Sequence, residues 1–383
     1  MIYGAALAAY DFGPEHPLRP ERFTLATALM SAYGLLAPPR EPGPGRLDVI
    51  EPVSATETDL LRVHDADYVD AVKEASARAD RFHPPRLGLG TADTPLFPHM
   101  HEISALVAGA TLTATREVLA GRHRRSLSVA GGLHHAHRRR AAGFCVYNDC
   151  AIAIADALEA HPDLSVLYVD IDAHHGDGVQ EAFYEEPRVL TISIHESGEY
   201  LYPGSGWTGE RGAGAGTGYA VNVPLPADAT DECFDAAFER VVEPAARRFS
   251  PGLVMAQCGA DAHHDDPLTS LGLTVGGYAR LVRRILALAD DLCAGRLVAC
   301  GGGGYGWQHV VPRCWTILAS QVAGASIAEE LPESWRDESY RLSGLRAPRG
   351  LTEDSFAPAA ALRAELLEET LRTCEEALRW ISA

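Results

Sequence analysis

The run Tyr168-Val169-Asp170-Ile171-Asp172-Ala173-His174-His175-Gly176-Asp177-Gly178 decides the fold of this chain. It completes an apolar, β-branched segment, Leu164 to Val169, which predicts a buried strand. Side chains alternate along an extended strand, so Asp170, Asp172 and His174 are expected to converge on one side if the extended conformation continues as far as His174. Carboxylates and imidazoles together suit Zn²⁺ and similar divalent cations. The run therefore predicts a buried strand that ends in a metal site.

Three further apolar segments end in the same way. The segments Leu127–Ala130, Leu253–Ala256 and Leu297–Cys300 are each followed by a loop that carries reactive side chains or glycines. These loops are Gly131-Gly132-Leu133-His134-His135-Ala136-His137, Gly259-Ala260-Asp261-Ala262-His263-His264-Asp265-Asp266-Pro267 and Gly301-Gly302-Gly303-Gly304-Tyr305. In open α/β sheets, ligands bind beyond the carboxyl ends of the strands. We therefore expect one site at that edge, assembled from four loops.

Strand-like and helix-like patterns alternate along the chain, which indicates an α/β fold with a mostly parallel sheet covered on both faces. The remaining strand candidates are Ile2–Ala8, Leu47–Val53, Val189–Ile194 and Tyr219–Val223. The helix candidates include Glu102–Ala120, Ala151–Ala160, Asp231–Arg248, Val275–Cys293 and an amphipathic C-terminal segment, Ala359–Ile381. Two loops rich in glycine or proline, Arg81–Met100 and Ser205–Gly218, are expected to run over the site.

The bulk composition is that of one large globular domain. With 383 residues, 46% of them hydrophobic, and no linker, the chain is predicted to form a single domain over residues 1–383. A formal charge of −19 argues against nonspecific nucleic-acid binding, which needs cationic side chains to neutralise phosphates. We find no signal-peptide pattern, no apolar run of membrane-spanning length and no CxxC pair among the eight cysteines. We therefore expect a cytoplasmic protein that does not associate with a membrane.

These motifs resemble the histone deacetylase family, and in particular its bacterial acetoin-utilization branch. The matching segments are His16–Arg22, Gly88–Pro95, Phe97-Pro98, Gly131–Ala136, Gly143–Asp149, Asp170–Gly178, Gly259–Asp261, Asp266–Leu268 and Gly301–Tyr305. The resemblance runs in order through residues 2–320, and leaves a helical segment at about 355–383 without a motif. It implies an arginase-like, three-layer α/β/α fold, which agrees with the alternating strands and helices.

The resemblance implies a zinc site formed by Asp172, His174 and Asp261. Two carboxylates make such a site more anionic than a three-histidine site, so Fe²⁺ is an alternative metal. His263 and His264 are also chemically suited to bind a metal, but they match no ligand of the family. The family further implies potassium at one or two structural sites. The first would use Asp170, Asp172, His174, Ser193 and Ile194, and the second Phe183, Glu186, Val189 and Tyr219, where Glu186 departs from the usual small polar residue.

Catalytic roles follow from the same resemblance. Asp170 would pair with His134 and Asp177 with His135, which fixes the tautomer of each imidazole. His135 would act as general base and then as general acid, while His134 would stay charged and stabilise the tetrahedral intermediate. Tyr305 would donate its hydroxyl hydrogen to the substrate carbonyl, an effect worth about 10²–10³ in rate. A phosphate-binding loop is the alternative for the glycine run, but no Lys-Ser/Thr follows it.

The family binds the acetyl-lysine side chain in a narrow tunnel. The residues that match its substrate-binding positions are Gly143, Phe144, Tyr202 and Leu268 on the walls, Asp93 at the rim and Arg22 near the inner pocket. Aromatic walls suit the methylene stem of lysine, which can be desolvated there. Tyr202 replaces the phenylalanine of many members, which makes the rim more polar. For Arg22, a structural ion pair is an alternative role.

The predicted reaction is zinc-dependent hydrolysis of the acetyl amide of acetyl-lysine in proteins, which releases acetate and lysine. The expected partners are acetylated proteins, acetyl-CoA synthetase among them, and no nucleic acid. Three alternatives stay open: an acetylpolyamine amidohydrolase of the same fold, a binuclear manganese ureohydrolase, and a catalytically silent binder of acylated lysine. The sequence leaves the oligomeric state, the acyl-chain preference and the physiological metal open.

Overall fold

A computed structural model describes residues 1–36, 43–78, 86–353, 356 and 358–379. Its centre is a six-stranded sheet in which all neighbouring strands are parallel. The strands are β1 (Arg125–Ser128), β2 (Val166–Asp170), β3 (Val189–Glu196), β4 (Ala220–Leu225), β5 (Leu253–Gln257) and β6 (Leu297–Cys300). Every residue of β2, β3, β5 and β6 is buried, which explains why β2, β5 and β6 are largely apolar in the sequence.

Helices surround the sheet. In the described part of the chain they are α1 (Glu21–Ala32), α2 (Glu57–Leu60), α3 (Ala66–Ala77), α4 (Met100–Leu119), α5 (Asp149–Ala160), α6 (Asp177–Ala182), α7 (Asp231–Ala237), α8 (Glu243–Phe249), α9 (Val275–Cys293), α10 (Val310–Ala323), α11 (Glu333–Ser343) and α12 (Ala360–Leu378). A π-helical turn, Phe238–Val242, joins α7 to α8, so the helix predicted over this region is continuous but not uniform. Short 3₁₀ helices cover Ala5–Ala9 and Gly214–Gly216.

The strand order is β1-β6-β5-β2-β3-β4. From β2 the chain moves outward through β3 to β4, whereas from β5 it moves in the opposite direction to β6. Right-handed crossovers therefore place α6, between β2 and β3, on one face and α9, between β5 and β6, on the other. The predicted three-layer α/β/α fold with a parallel sheet is confirmed. The strand order reverses between the neighbours β2 and β5, which is where such sheets bind ligands.

Two predicted strands are wrong. The segment Ile2–Ala8 makes one isolated bridge, from Ile2 to Ile50, and then forms the 3₁₀ helix. The segment Leu47–Val53 contributes isolated bridges only, at its first and fourth residues. Alanine has low β-propensity, and the second segment contains acidic residues and a proline that disfavour regular pairing. Apolar character alone therefore overestimates the sheet at the N-terminus.

Helix α12 and the amino groups of Lys73 and Met1 lie at the periphery of the fold. Helix α12 packs against α7 and β4, so the predicted C-terminal helix lies on its own domain. Residues 380–383 lie outside the described residues, as do residues 81–85 of the first predicted loop. The ammonium group of Lys73, the only lysine in the chain, lies 2.6 Å from Glu57 Oε2, and the Met1 amino group donates to the carbonyl of Asp48. Among the described helices, none has both the length and the apolar character that crossing a membrane requires.

Candidate active site

Three buried side chains converge beyond the carboxyl ends of β2 and β5. Asp172 and His174 follow β2, Asp261 follows β5, and their ligand atoms all lie within 4.8 Å of one another. His174 Nδ1 is 3.1 Å from Asp172 Oδ1 and 3.0 Å from Asp261 Oδ2. Two carboxylates and one imidazole form the three-ligand set that a catalytic zinc site uses, with a position left for water or substrate.

The electrostatics of this cluster fit a bound cation. Burial and the charge of Asp172 raise the pKa of Asp261 to about 6. Burial opposes the ionisation of Asp172 too, but the charge of His134 and hydrogen bonds, one from Gln257 at 2.6 Å, hold its pKa well below the ordinary value. Two adjacent buried carboxylates repel each other, and a divalent cation would remove that cost. The residues present therefore fit the metal that the family implies.

His263 and His264 lie in a different cluster. His263 Nδ1 accepts the backbone N–H of Asp265 at 3.0 Å, so its proton is on Nε2, which pairs with Glu353. The His264 ring stacks on Phe356 with 4.5 Å between centroids. Because Nε2 of His263 is a donor in this arrangement, it has no lone pair to offer a metal. These histidines act as structural groups around Glu353.

Two further histidines lie beside the Asp172 cluster and differ in charge. His134 Nδ1 is 2.7 Å from Asp170 Oδ2, His135 Nδ1 is 2.7 Å from Asp177 Oδ1, and the two Nε2 atoms are 3.2 Å apart. Burial lowers the pKa of His134, but Asp170 and Asp172 outweigh it and raise the pKa to about 9. Burial and the charge on His134 lower the pKa of His135 to about 4. At neutral pH, His135 is therefore the imidazole that can accept a proton.

The start of α5 holds the loop that carries these histidines. Asn148 Nδ2 donates to the carbonyls of His134 at 3.2 Å and Ala136 at 3.0 Å, while its Oδ1 caps the helix. Asp149 accepts the N–H groups of Gly132, at 3.0 and 3.1 Å, and of Leu133 at 2.7 Å. Buried side chains that bind a loop through its backbone restrict the loop to one conformation. The motif after Gly143 thus fixes the histidine pair.

Tyr305 reaches the same centre from β6. Its side chain is 8% exposed, and its ring lies edge-on to Phe144, at 5.7 Å between centroids, and to His174, at 6.2 Å. Burial raises the pKa of Tyr305 well above its ordinary value, so the hydroxyl remains a hydrogen-bond donor. A cation site, a neutral base, a charged imidazole and a phenol donor together form machinery for hydrolysis of a carbonyl compound.

Two of the predicted wall residues, Gly143 and Tyr202, lie against His135. The Tyr202 ring packs edge-on against the His135 ring at 5.1 Å, and Asp93 Oδ2 accepts the N–H of Gly143 at 2.9 Å. Gly143 has φ +54°, and a Cβ there would lie 2.2 Å from His135 Cδ2, so this position requires glycine. Asp93 and Tyr202 also line a surface cavity of about 870 Å³ beside the site. Leu268 is 37% exposed and lies on the loop after β5.

Arg22 lies on the inner side of the site. It is buried, its Nη1 donates to the carbonyls of Gly302 at 3.0 Å and Gly304 at 3.3 Å, and it lines an internal cavity of about 20 Å³ with His134 and Tyr305. Its hydrogen bonds go to carbonyl oxygens, so among the described residues the structural ion pair is not the arrangement that forms. A cationic group at this cavity suits the departure of an anionic product.

Three supporting side chains were not singled out by the sequence. Gln257 donates to Asp172, Tyr168 donates to Asp170 Oδ2 at 2.7 Å, and Asp266 Oδ2 accepts the N–H of Tyr305 at 2.7 Å. Tyr168 sits within a predicted strand and Gln257 directly follows another, Leu253–Ala256, so a polar residue in or next to an apolar run was the available signal. Asp266 belongs to a matching family motif. All three orient catalytic or ligating groups from outside the centre.

The structure describes contacts of some of the residues predicted to form the two potassium sites. Asp170 and Ser193 are register neighbours on β2 and β3, which brings the two halves of the first site together. At the second site, the Glu186 carboxylate accepts from Arg188 at 2.7 Å. That side chain is therefore engaged, and the site would depend on backbone carbonyls. Both sites stay predictions.

Comparisons with known proteins agree with this geometry. Residues 16–322 match the histone deacetylase domain family. The chain is 39% identical over 380 residues to acetoin utilization protein AcuC of Bacillus subtilis (strain 168), covering 99% of this chain and 96% of the relative. It is 35% identical over 363 residues to AcuC of Staphylococcus aureus (strain MSSA476), covering 93% and 91%. The crystal structure of an HDAC homolog from Aquifex aeolicus has a TM-score of 0.81 and 27% identity, covering 97% of this chain and 98% of that one. A structure of an HDAC homolog complexed with SAHA has the same score, with 28% identity and the same coverage.

Proposed function

Because this chain belongs to the histone deacetylase family and is a deacetylase hydrolase, we propose that it removes the acetyl group from acetyl-lysine side chains of proteins. The observation that carries the substrate class, an acetyl amide on an unbranched alkyl stem, is the lining around His135. Gly143 and Tyr202 pack directly against that base, and the Phe144 ring lies edge-on to Tyr305. A glycine and two aromatic rings leave a slot suited to an unbranched methylene stem that ends in an amide.

Zinc is the proposed metal, held by Asp172, His174 and Asp261, with Fe²⁺ as the alternative for a site with two carboxylates. When bound, such an ion supplies Lewis acidity to the acetyl carbonyl and the attacking water. The ligating carboxylates are already oriented for that role. Asp172 Oδ2 accepts from Gln257 at 2.6 Å and Asp261 Oδ1 accepts the N–H of Ala173 at 2.9 Å. Outer partners of this kind preserve ligand geometry.

Side chains of the protein carry out the proposed proton transfers. His135, neutral at pH 7, takes the proton from the attacking water at Nε2, and Asp177 at Nδ1 stabilises the imidazolium that forms. Tyr305 donates its hydroxyl hydrogen to the acetyl oxygen as negative charge develops there. His134 keeps its proton and adds positive charge 3.2 Å from His135. His135 then returns its proton to the leaving lysine amine, and acetate remains near Arg22.

The alternatives from other classes have less support. A binuclear ureohydrolase would need further carboxylates for a second metal, whereas Asp170 and Asp177 are each paired with a histidine. A silent binder would be expected to have lost a ligand or the tyrosine, and this chain retains both. An acetylpolyamine substrate would use the same chemistry. Both substrates present a methylene stem that ends in an amide, so the choice of acetyl-lysine rests on the Gly88–Phe97 and Asp266–Leu268 segments, which resemble the lysine deacetylase branch.

One assay separates these functions. Zinc-loaded protein is offered an acetyl-lysine peptide and an acetylated polyamine side by side, with a chelated sample and Tyr305→Phe as controls. We expect metal-dependent turnover of the peptide that falls about 10²–10³-fold in Tyr305→Phe. A loss of less than about tenfold in that variant would contradict the role of the phenol. Turnover of the polyamine alone would replace the substrate, and turnover of neither would favour the binder.

The physiological substrates that we propose are cytoplasmic acetylated proteins, acetyl-CoA synthetase among them. The support is similarity to the acetoin utilization proteins over nearly the whole chain. The test is acetylated acetyl-CoA synthetase incubated with the protein, with loss of the acetyl group followed by mass spectrometry. A rate no higher than on an unrelated acetylated protein would remove this substrate from the proposal.

A further inference from the structure

The loop that carries Tyr305 is held by a carboxylate from another loop. Asp266 Oδ2 accepts the backbone N–H of Tyr305 at 2.7 Å and that of Gly306 at 3.2 Å. The other carboxylate oxygen, Oδ1, accepts the N–H of Leu268 at 3.0 Å. Asp266 is 6% exposed, so water hardly competes for these bonds. Hydrogen bonds from N–H groups to a carboxylate are among the stronger ones in proteins.

Asp266 restrains the glycine-rich loop at Tyr305, where the preceding glycines leave the backbone conformationally permissive. Four glycines precede Tyr305, and Gly302 and Gly304 adopt φ values of +74° and +138° that residues with side chains disfavour. Arg22 and Asp172 hold the earlier part of the loop, through the carbonyl of Gly302 and the N–H of Gly303. Asp266 holds the tyrosine itself. The edge-on contacts of the Tyr305 ring position the ring less sharply than a hydrogen bond would.

We propose that Asp266 is a positioning residue for Tyr305. By fixing the backbone of the tyrosine, it sets the point from which the hydroxyl donates to the acetyl oxygen. A shift of about 1 Å in a catalytic group can cost about 10²-fold in rate, so an anchor on the backbone has kinetic consequences. The inference rests on the proposed function, since it gives Asp266 a role only through the tyrosine hydroxyl. Asp266 touches neither the substrate nor the reacting atoms.

The test is a double-mutant cycle with Tyr305→Phe. Asp266→Asn keeps the shape of the side chain but exchanges one acceptor oxygen for a donor. The variant therefore cannot accept both the N–H of Leu268 and the N–H groups of Tyr305 and Gly306. We expect kcat on the acetyl-lysine peptide to fall about ten- to a hundredfold while KM changes less than about threefold. In the Tyr305→Phe background, where no hydroxyl needs placing, the same change should lower kcat by less than about threefold. An equal loss in both backgrounds would overturn the inference.

A second readout does not depend on activity. The backbone amides of Tyr305 and Gly306 should exchange with deuterium at least about tenfold faster in Asp266→Asn than in the unmodified protein, because their acceptor is weakened. Unchanged exchange rates of these two amides would contradict the role of Asp266 as their anchor. Asp266→Ser, which is smaller and keeps one acceptor, replaces the asparagine variant in both experiments if that variant does not fold. If the unmodified protein hydrolyses neither acetylated substrate, the proposed function fails, and exchange still tests the anchor.

Asp231 provides a matched control. Its carboxylate accepts the N–H and the hydroxyl of Thr274, each at 2.8 Å, at the start of α9 and away from the site. Asp231→Asn should lower the stability of the fold and leave kcat within about twofold of its original value. If kcat falls as far as in Asp266→Asn, then the loss reflects general weakening of the fold, and the assignment to Tyr305 is wrong.

Discussion

His137 Nε2 lies 3.3 Å from Asp177 Oδ2, on the opposite side of the carboxylate from His135. The other nitrogen of His137, Nδ1, pairs with Glu181. Hydrogen bonding to Asp177 and Glu181 outweighs burial and raises the pKa of His137 to about 9. At neutral pH, the carboxylate that supports the general base is therefore shared with a second imidazole, which is charged at that pH.

The first prediction concerns the pH dependence of this pair. Because the pKa of His137 rises from 6.5 to about 9 on folding, its stabilising effect is complete below about pH 6.5 and is lost as pH rises through about 9. We expect His137→Gln to lower the free energy of unfolding by about 1–2 kcal/mol at pH 6, a value discounted for solvent screening, and by little above pH 10. Urea unfolding of both proteins across this range measures the difference.

His123 is the matched control for that experiment. It lies between two carboxylates, 3.1 Å from Glu117 and 3.4 Å from Asp48, but on the protein surface at the amino end of β1. His123→Gln should cost less stability, because water screens an exposed pair. A difference between His137→Gln and the original protein that persists unchanged from pH 6 to pH 10 would contradict the charged state assigned to His137.

The second prediction concerns Gly143. An alanine Cβ there would lie 2.2 Å from His135 Cδ2, at φ +54°. We expect Gly143→Ala to lower kcat at least about 10²-fold, because the general base must move. Gly34 has a similar φ of +70° but nothing within 4 Å of its Cβ position. Gly34→Ala should therefore cost about 1 kcal/mol in unfolding free energy and leave kcat unchanged. Equal kcat losses in the two variants would show that backbone strain, and not contact with His135, is responsible.

The third prediction concerns the metal. A ligand that binds only the folded state at 100 times its Kd adds about 2.7 kcal/mol of stability, so chelation should lower the Tm by several degrees. In Asp261→Asn, the zinc content should fall and the Tm should no longer respond to the chelator. Asp265→Asn is the control, because that carboxylate belongs to the His263 cluster and is 53% exposed. Full zinc content in Asp261→Asn, measured by elemental analysis, would refute the ligand assignment.

The strands around the site could be predicted because they are buried on both faces. Full burial makes β2, β5 and β6 largely apolar, and the polar residues or glycines at their carboxyl ends mark where each strand ends. The N-terminal run Ile2–Ala8 is equally apolar for another reason. It packs in the core as a bridge and a short helix, so hydrophobicity indicates its burial but not its secondary structure.

Contacts within one loop could be predicted, but contacts between loops could not. The grouping of Asp172 and His174 could be predicted from their spacing directly after a strand, although β2 ends at Asp170 and the bends that follow bring the two side chains together. The bond from Tyr305 to Asp266 spans 39 residues of chain, and that from Gln257 to Asp172 spans 85. Such pairs depend on how far each loop extends beyond the sheet and on how neighbouring strands align. Neither quantity is set by the residues near either partner.

The rarity of amines in this chain has a consequence for the chemistry it is proposed to reverse. Acetyl phosphate and acetyl thioesters modify free amines without any enzyme. Here the single lysine, Lys73, has its ammonium group 2.6 Å from the Glu57 carboxylate. The sequence therefore offers such reagents one lysine side chain, on the surface and paired with a carboxylate. In a cell rich in activated acetate, the protein would acquire far fewer acetyl groups on lysine than proteins of ordinary lysine content.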